Sequence, residues 1–170
     1  MTESTISIHT IMESSIAKLS KHQISVFFSK NASSTQQQCD QEAERITGMT
    51  VHTSPVQGGN SYTVVSDDET CVVQFRSAGS ALDIDLLQCV VEQAYIGFMP
   101  RHQWVGYLGD LYVYTMGNVG GISMYLAREQ LCKNNFSLLR QTVSDFARSV
   151  VTNVPYAPSP PLPTSRRPRS

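Results

Sequence analysis

The chain has 170 residues, 41% of them hydrophobic, which is enough for one moderate core and too little for two full lobes. Its formal net charge of -1 provides no basic field for a nucleic-acid backbone or an anionic membrane. The four cysteines form no C-x-x-C pair, which argues against a structural zinc site. Because the sequence has neither a signal-like N-terminus nor a membrane-length apolar run, we expect a cytoplasmic protein without nucleic-acid or membrane partners.

The first part of the chain has a helical pattern. Its apolar residues recur at near-helical spacing from Met12 to Phe28, which predicts a helix. The polar stretch 30–38 has no periodicity and is expected to be a loop. Asp40 is then expected to cap a short helix that stops at Gly48, because Asp accepts from free N–H groups and Gly adopts the left-handed C-terminal conformation.

Three strand-like runs follow, rich in Val, Thr, Tyr and Phe. They cover 49–56, 61–65 and 70–75, and are separated by turn-forming sequences at 57–60 and 66–69. This arrangement predicts a three-stranded antiparallel meander.

A second helical pattern begins at Asp83 and is ended by Gly97 and Pro100. Apolar residues at helical spacing predict one buried face, made of Leu82, Leu86, Cys89, Val90 and Ala94.

Two more strands are predicted at 103–108 and 111–116, joined by a tight turn at Gly109-Asp110. They add a hairpin to the sheet. The chain's only tryptophan, Trp104, is interpreted as a packing residue with little functional weight.

The C-terminal part is predicted to contain two helices, 122–131 and 136–151, after a glycine-rich connector. The second helix carries an apolar stripe made of Phe136, Leu139, Val143, Phe146 and Val150. The segment 153–170 holds six of the eight prolines together with three arginines, and it is predicted to be a disordered tail.

The predicted fold is α+β: a five-stranded antiparallel sheet with one intervening helix, flanking helices and a disordered C-terminal tail. The corresponding divisions are an N-terminal helix and loop at 1–38, a sheet unit at 39–121, helices at 122–152 and the tail at 153–170.

This order of elements resembles the small lobe of the aminoglycoside phosphotransferase and choline kinase-like family, of fungal type. Residues 57–65 resemble its nucleotide-covering hairpin, and 72–76 look like its third strand, which ends in a basic residue. Residues 82–100 are similar to its helix and following turn, and 111–121 resemble its strand and hinge. The resemblance spans about 39–151.

The resemblance implies that ATP and Mg²⁺ are cofactors. Its nucleotide-binding positions fall on Gln57, Gly58, Gly59, Asn60, Arg76, Glu92, Met116 and Val119. A glycine pair lets backbone N–H groups approach phosphates, and Arg76 would neutralise phosphates while pairing with Glu92 or Asp85. The motif alone favours a plain turn at the glycine pair, and only the order of elements makes the phosphate cradle an equal alternative. Arg76 could likewise be an ordinary surface residue.

The same resemblance implies a hinge at 116–119 whose backbone reaches an adenine edge. An apolar pocket for the ring would come from Val64, Val73 and Tyr114. The alternative is that Met116 belongs to the core.

The catalytic parts of the family's large lobe are missing. No histidine begins an H-x-D-x-x-x-x-N pattern, and no acidic residue follows Asp145. We therefore expect no catalytic residue, no resident metal site and no autonomous catalysis. In fungi, members of the resembled family sometimes accompany secondary-metabolite pathways.

Three alternatives remain open. The chain could be a regulatory or scaffolding interaction module, a small-molecule ATP-dependent phosphotransferase whose large lobe is supplied elsewhere, or a truncated product without function. The stripe on the C-terminal helix favours a homo-oligomer or a protein partner, unless the N-terminal helix folds over it. Three tail arginines are too few for nucleic-acid binding.

Overall fold

The computed structural model describes residues 8–95, 99–121 and 124–153. The predicted tail beyond Asn153 and part of the predicted turn before Pro100 lie outside these ranges. The helices are α1 (Ile8–Lys30), α2 (Gln36–Thr47), α3 (Ile84–Leu86, continued by Leu87–Val91 and Glu92–Ala94) and α4 (Met124–Asn153). The strands are β1 (Val51–Thr53), β2 (Ser61–Ser66), β3 (Cys71–Arg76), β4 (His102–Leu108) and β5 (Leu111–Gly117).

The five strands form one antiparallel sheet in the order β1-β2-β3-β5-β4. The helix α3 lies between β3 and β4 in the chain, so the predicted α+β fold with one intervening helix is confirmed. Strand β1 is shorter than predicted, at three residues.

One face of the sheet is covered by α1 and α2. Because side chains alternate along a strand, every second residue of β2, β3 and β5 points to this face. The core consists of Phe27, Cys39, Ala43, Tyr62, Val64, Val73, Phe75, Leu111 and Val113. Burial, helped by the nearby Asp40 charge, raises the pKa of the Cys39 thiol to about 12, so this thiol stays neutral inside the core.

The helix α2 begins earlier than the sequence analysis expected. Thr35 is the N-cap, and it forms a capping box in which its side chain accepts from the Gln38 N–H while Gln38 Oε1 accepts from the Thr35 N–H. Asp40 is therefore not a cap. It lies inside the helix, where its carboxylate accepts a hydrogen bond from the Tyr62 hydroxyl at 2.7 Å. The predicted stop at Gly48 is confirmed, with φ at 75°.

The predicted buried face of α3 is wrong. Asp83 does cap its first turn, accepting from the Leu86 N–H at 2.9 Å. However, Leu86 and Val90 are 53% and 49% exposed, and Cys89 is exposed too. For Cys89 and Val90 the physical reason is that they lie in a π-helical turn at Leu87–Val91, which widens the helix and takes them out of 3.6-residue register.

The C-terminal helices meet at a break. The backbone leaves helical geometry at Lys133, and the next three residues, through Phe136, have positive φ angles. Beyond this break, Val143 and Phe146 are 60% and 50% exposed, although the Phe146 ring stacks on Tyr95 at 4.6 Å. The helix α1 places Phe27 in the sheet core.

Candidate functional site

Gln57, expected at the phosphate cradle, is a buried structural residue. Its side-chain amide donates to the Ser54 and Thr63 carbonyls at 3.0 and 2.7 Å and accepts from the Thr63 N–H at 3.0 Å. Its own N–H donates to Ser20 Oγ of α1 at 3.2 Å. The amide thus replaces a strand partner between β1 and β2, and it has no free donor directed at a ligand.

The glycine turn is clamped between two segments of the chain. A Cβ on Gly59 would lie 2.8 Å from Gln23 Oε1 of α1, whereas one on Gly58 would meet only Ser61 Oγ, at 3.7 Å. On the other side, the Asn60 carbonyl accepts from Ser80 Oγ at 2.9 Å. These contacts make Gly59 a close-approach residue for α1, and they favour the plain-turn interpretation of the glycine pair.

Arg76 and Glu92 do not pair. Arg76 donates to Gln74 Oε1 at 2.6 Å and to the Ser80 carbonyl at 3.0 Å, and its burial lowers the pKa of the guanidinium. Glu92 Oε1 accepts from the His102 N–H at 2.8 Å. The strand register explains the separation, because Arg76 lies opposite Tyr112 at one end of β5 while His102 lies opposite its other end.

Glu92 has a structural role instead. Together with Gln88, whose Nε2 donates to the His102 carbonyl at 3.0 Å, it satisfies both backbone groups of His102 at the start of edge strand β4. Asp85, the alternative partner of Arg76, is exposed near the beginning of α3. The helix is therefore attached to the sheet through β4.

The expected adenine pocket does not form. Val64 and Val73 are fully buried in the core under α1 and α2, whereas Tyr114 lies on the opposite face of the sheet. Met116 is paired on both sides within the sheet, and the Val119 side chain is 60% exposed. Strand alternation alone excludes a pocket formed by Val64, Val73 and Tyr114. Val73 lies opposite Thr115, so the next residue, Tyr114, points to the other face of the sheet.

The residues implied for ATP and Mg²⁺ therefore do not fit those ligands. The glycine turn, Gln57 and Arg76 are engaged by other parts of the chain. Among the described residues, no three His, Cys, Asp or Glu side chains converge to hold a metal ion.

An aromatic groove lies on the sheet face opposite α1 and α2. It measures about 400 Å³ and is lined by Leu82, Asp83, Ile84, Asp85, Trp104, Tyr107, Tyr112 and Tyr114. The aromatic residues form two cross-strand pairs, with Trp104 opposite Tyr114 and Tyr107 opposite Tyr112. Trp104 packs edge-on against Tyr107 at 5.4 Å, and Tyr107 against Tyr112 at 4.8 Å.

A β-bulge creates this groove. Trp104 and Tyr107 are three positions apart, so strict alternation would place them on opposite faces of the sheet. The register shifts between Trp104 and Gly106, and the extra residue brings Tyr107 to the same face as Trp104. Sequence analysis missed the groove for this reason. The packing role predicted for Trp104 is met only in part, because its ring contacts Tyr107 but its side chain is 52% exposed.

The groove has a fixed floor and an acidic rim. The Tyr114 hydroxyl accepts from the Leu82 N–H at 3.0 Å, which holds the start of α3 against the sheet. Asp83 and Asp85 lie at this edge and are exposed. A hydrogen bond with Tyr112 raises the pKa of the Tyr107 hydroxyl, so this phenol is neutral at physiological pH. Neutral aromatic surface beside carboxylates suits apolar or cationic groups and disfavours phosphates.

Comparisons with protein-family models, curated proteins and solved structures find no match to this chain. In the parts of the chain that the structure describes, no helix combines the length and the apolar character needed to cross a bilayer.

Proposed function

We propose that this chain is a kinase-like small lobe without autonomous catalysis, which acts as an interaction module by pairing with a second copy through α4. The observation that carries the proposal is the exposed apolar stripe on α4. Val143 at 60% and Phe146 at 50% exposure leave a surface that residues 8–95, 99–121 and 124–153 do not cover. Exposed apolar patches of this kind mark association sites.

The spacing of the stripe supports a helix as the partner. Phe136, Leu139, Val143 and Phe146 follow each other at intervals of three and four residues, which is the heptad spacing of a helix-to-helix seam. A second copy of α4 offers the same pattern. Because the stripe covers only about two heptads and is broken at Phe136, we expect a weak dimer that forms at tens of micromolar.

The internal engagement of Gln57 and Arg76 supports the absence of catalysis. Four free cysteines are compatible with a reducing compartment, and we propose a cytoplasmic location on that basis.

Light scattering on the purified chain tests the pairing. We expect association at tens of micromolar that Val143→Glu abolishes, because the substitution places a charge at the centre of the stripe. Gln141→Glu, which changes an exposed residue on the other side of the same helix, is the matched control and should leave association unchanged. A monomer at these concentrations, with or without Val143→Glu, would contradict the proposal.

Calorimetry with ATP tests the absence of a nucleotide site. We expect no submicromolar affinity for Mg²⁺-ATP and no phosphorylation of choline or aminoglycosides. Turnover that survives repurification would instead support an ATP-dependent phosphotransferase whose large lobe is supplied elsewhere.

A further inference from the structure

The aromatic groove takes no part in the proposed pairing of α4, and its surface has two distinct parts. Its floor is the pair of cross-strand aromatic couples, of which Trp104 and Tyr107 are 52% and 59% exposed. Its edge carries Asp83 and Asp85. Aromatic-lined grooves are what polyproline II segments bind, because the preformed segment loses little further conformational freedom when its proline rings pack against aromatic rings.

The tail of this chain has the matching chemistry. Polyproline II has about three residues per turn, so residues three apart share one edge. One edge of the tail carries Pro160, Pro163, Arg166 and Arg169 in that spacing. The tail contains no acidic residue. Proline rings are thus followed, on the same edge, by cations that complement the acidic rim.

We infer that residues 160–169 bind back into the aromatic groove of the same chain as a polyproline II segment. Pro160 and Pro163 pack on the aromatic couples, and Arg166 or Arg169 pairs with Asp83 and Asp85. The inference does not rest on the proposed pairing of α4 and does not require the dimer.

The tail is long enough to reach the groove. The stack of Phe146 on Tyr95 fixes α4 beside the end of α3, whose beginning lines the groove. At about 1.5 Å per residue, the stack lies about 15 Å along α3 from Asp85 at the groove. It lies about 10 Å along α4 from Asn153, after which the tail begins. An extended proline-rich segment covers about 3.1 Å per residue, so ten residues beyond Asn153 are enough to reach up to about 30 Å.

Hydrogen bonding limits how the segment binds. Trp104 Nε1 already donates to the Gly106 carbonyl at 3.1 Å, and the Tyr114 hydroxyl is engaged by Leu82. Because the Tyr107 and Tyr112 hydroxyls are hydrogen-bonded to each other, this pair has one remaining O–H donor for a carbonyl group of the tail. The affinity then comes from ring packing and from the arginine–aspartate pairs.

Trp104 is the chain's only tryptophan and lies in the groove, so its fluorescence reports occupancy directly. The experiment measures acrylamide quenching of the full-length chain and of its Pro160→Ala/Pro163→Ala variant. Since Trp104 is 52% exposed in the open groove and bound ligands bury most of their surface, we expect the quenching constant to rise about twofold in the variant. Pro155→Ala/Pro158→Ala is the matched control, which removes two prolines from another edge and should change quenching little.

A synthetic peptide of residues 154–170 provides the second measurement. Added to the Pro160→Ala/Pro163→Ala chain, it should restore protection of Trp104, and Asp83→Asn/Asp85→Asn should weaken this effect. Equal quenching in the parent and both proline variants would overturn the inference, as would protection that disappears on dilution. Protection by tetramethylammonium equal to that by the peptide would assign the groove to cations in general and also overturn it.

The two proposals fail separately. Val143→Glu should change association and leave the quenching of Trp104 as it is in the parent chain. Loss of tail binding should leave association unchanged.

Discussion

The two faces of the sheet differ although the same strands build both. On one face, Val73, Phe75 and Val113 are buried under α1 and α2. On the other, Trp104 and Tyr107 are half exposed in an open groove. The comparison shows that alternation along a strand lets one set of residues stabilise the fold while their immediate neighbours remain available for binding.

The difference between the two faces also shows on which side of the molecule the glycine turn lies. Gln57 and Gly59 contact α1 through Ser20 and Gln23, so the turn belongs to the covered side of the molecule. Residues that the sequence pattern associates with a ligand thereby contribute to stability.

The largest expected effect tests the covered face itself. Phe75→Ala removes a fully buried ring from the core and should lower the free energy of unfolding by about 3–5 kcal/mol. Tyr107→Ala, on the open face, should cost about 1 kcal/mol or less, since it loses mainly its ring contacts. Urea denaturation measures both. Similar losses for the two variants would remove the distinction between the faces.

An intermediate effect is expected at Gln57. Gln57→Ala leaves the Thr63 N–H and two carbonyls without their partner, and it should cost about 1–3 kcal/mol of unfolding free energy. Asn60→Ala changes an exposed neighbour in the same turn and should stay within about 0.5 kcal/mol. Thermal or urea unfolding of the two variants measures these changes in unfolding free energy. Unchanged stability together with weakened nucleotide binding in Gln57→Ala would return this residue to a phosphate site.

The smallest effect compares the two adjacent glycines. Gly58→Ala has room for its methyl group and should be neutral or stabilising by up to about 1 kcal/mol, because the unfolded chain loses freedom. Gly59→Ala should be less stable than Gly58→Ala, since its methyl group displaces the Gln23 side chain. The added substitution Gln23→Ala should remove the difference between the two glycine variants. A difference that persists in that background would exclude α1 as its cause.

Local pattern was sufficient for most of the secondary structure. Strand runs rich in Val, Thr and Tyr, the turn at Gly109-Asp110 and the stop at Gly48 all follow from short-range chemistry. The start of α2 is also encoded locally, since Thr35-x-x-Gln38 matches a capping box, although the polar composition of 30–38 predicts a loop. The buried face of α3 was not readable, because a π turn changes the helical period without a clear sequence signal.

By itself, the sequence determined the order of helices and strands and the apolar stripe of α4, because propensity, capping and periodicity act over a few residues. Only the tertiary structure decided which face each strand presents, where Arg76 and Glu92 find their partners, and that a bulge joins Trp104 and Tyr107 into one surface. These features depend on strand register and on contacts between residues distant in sequence.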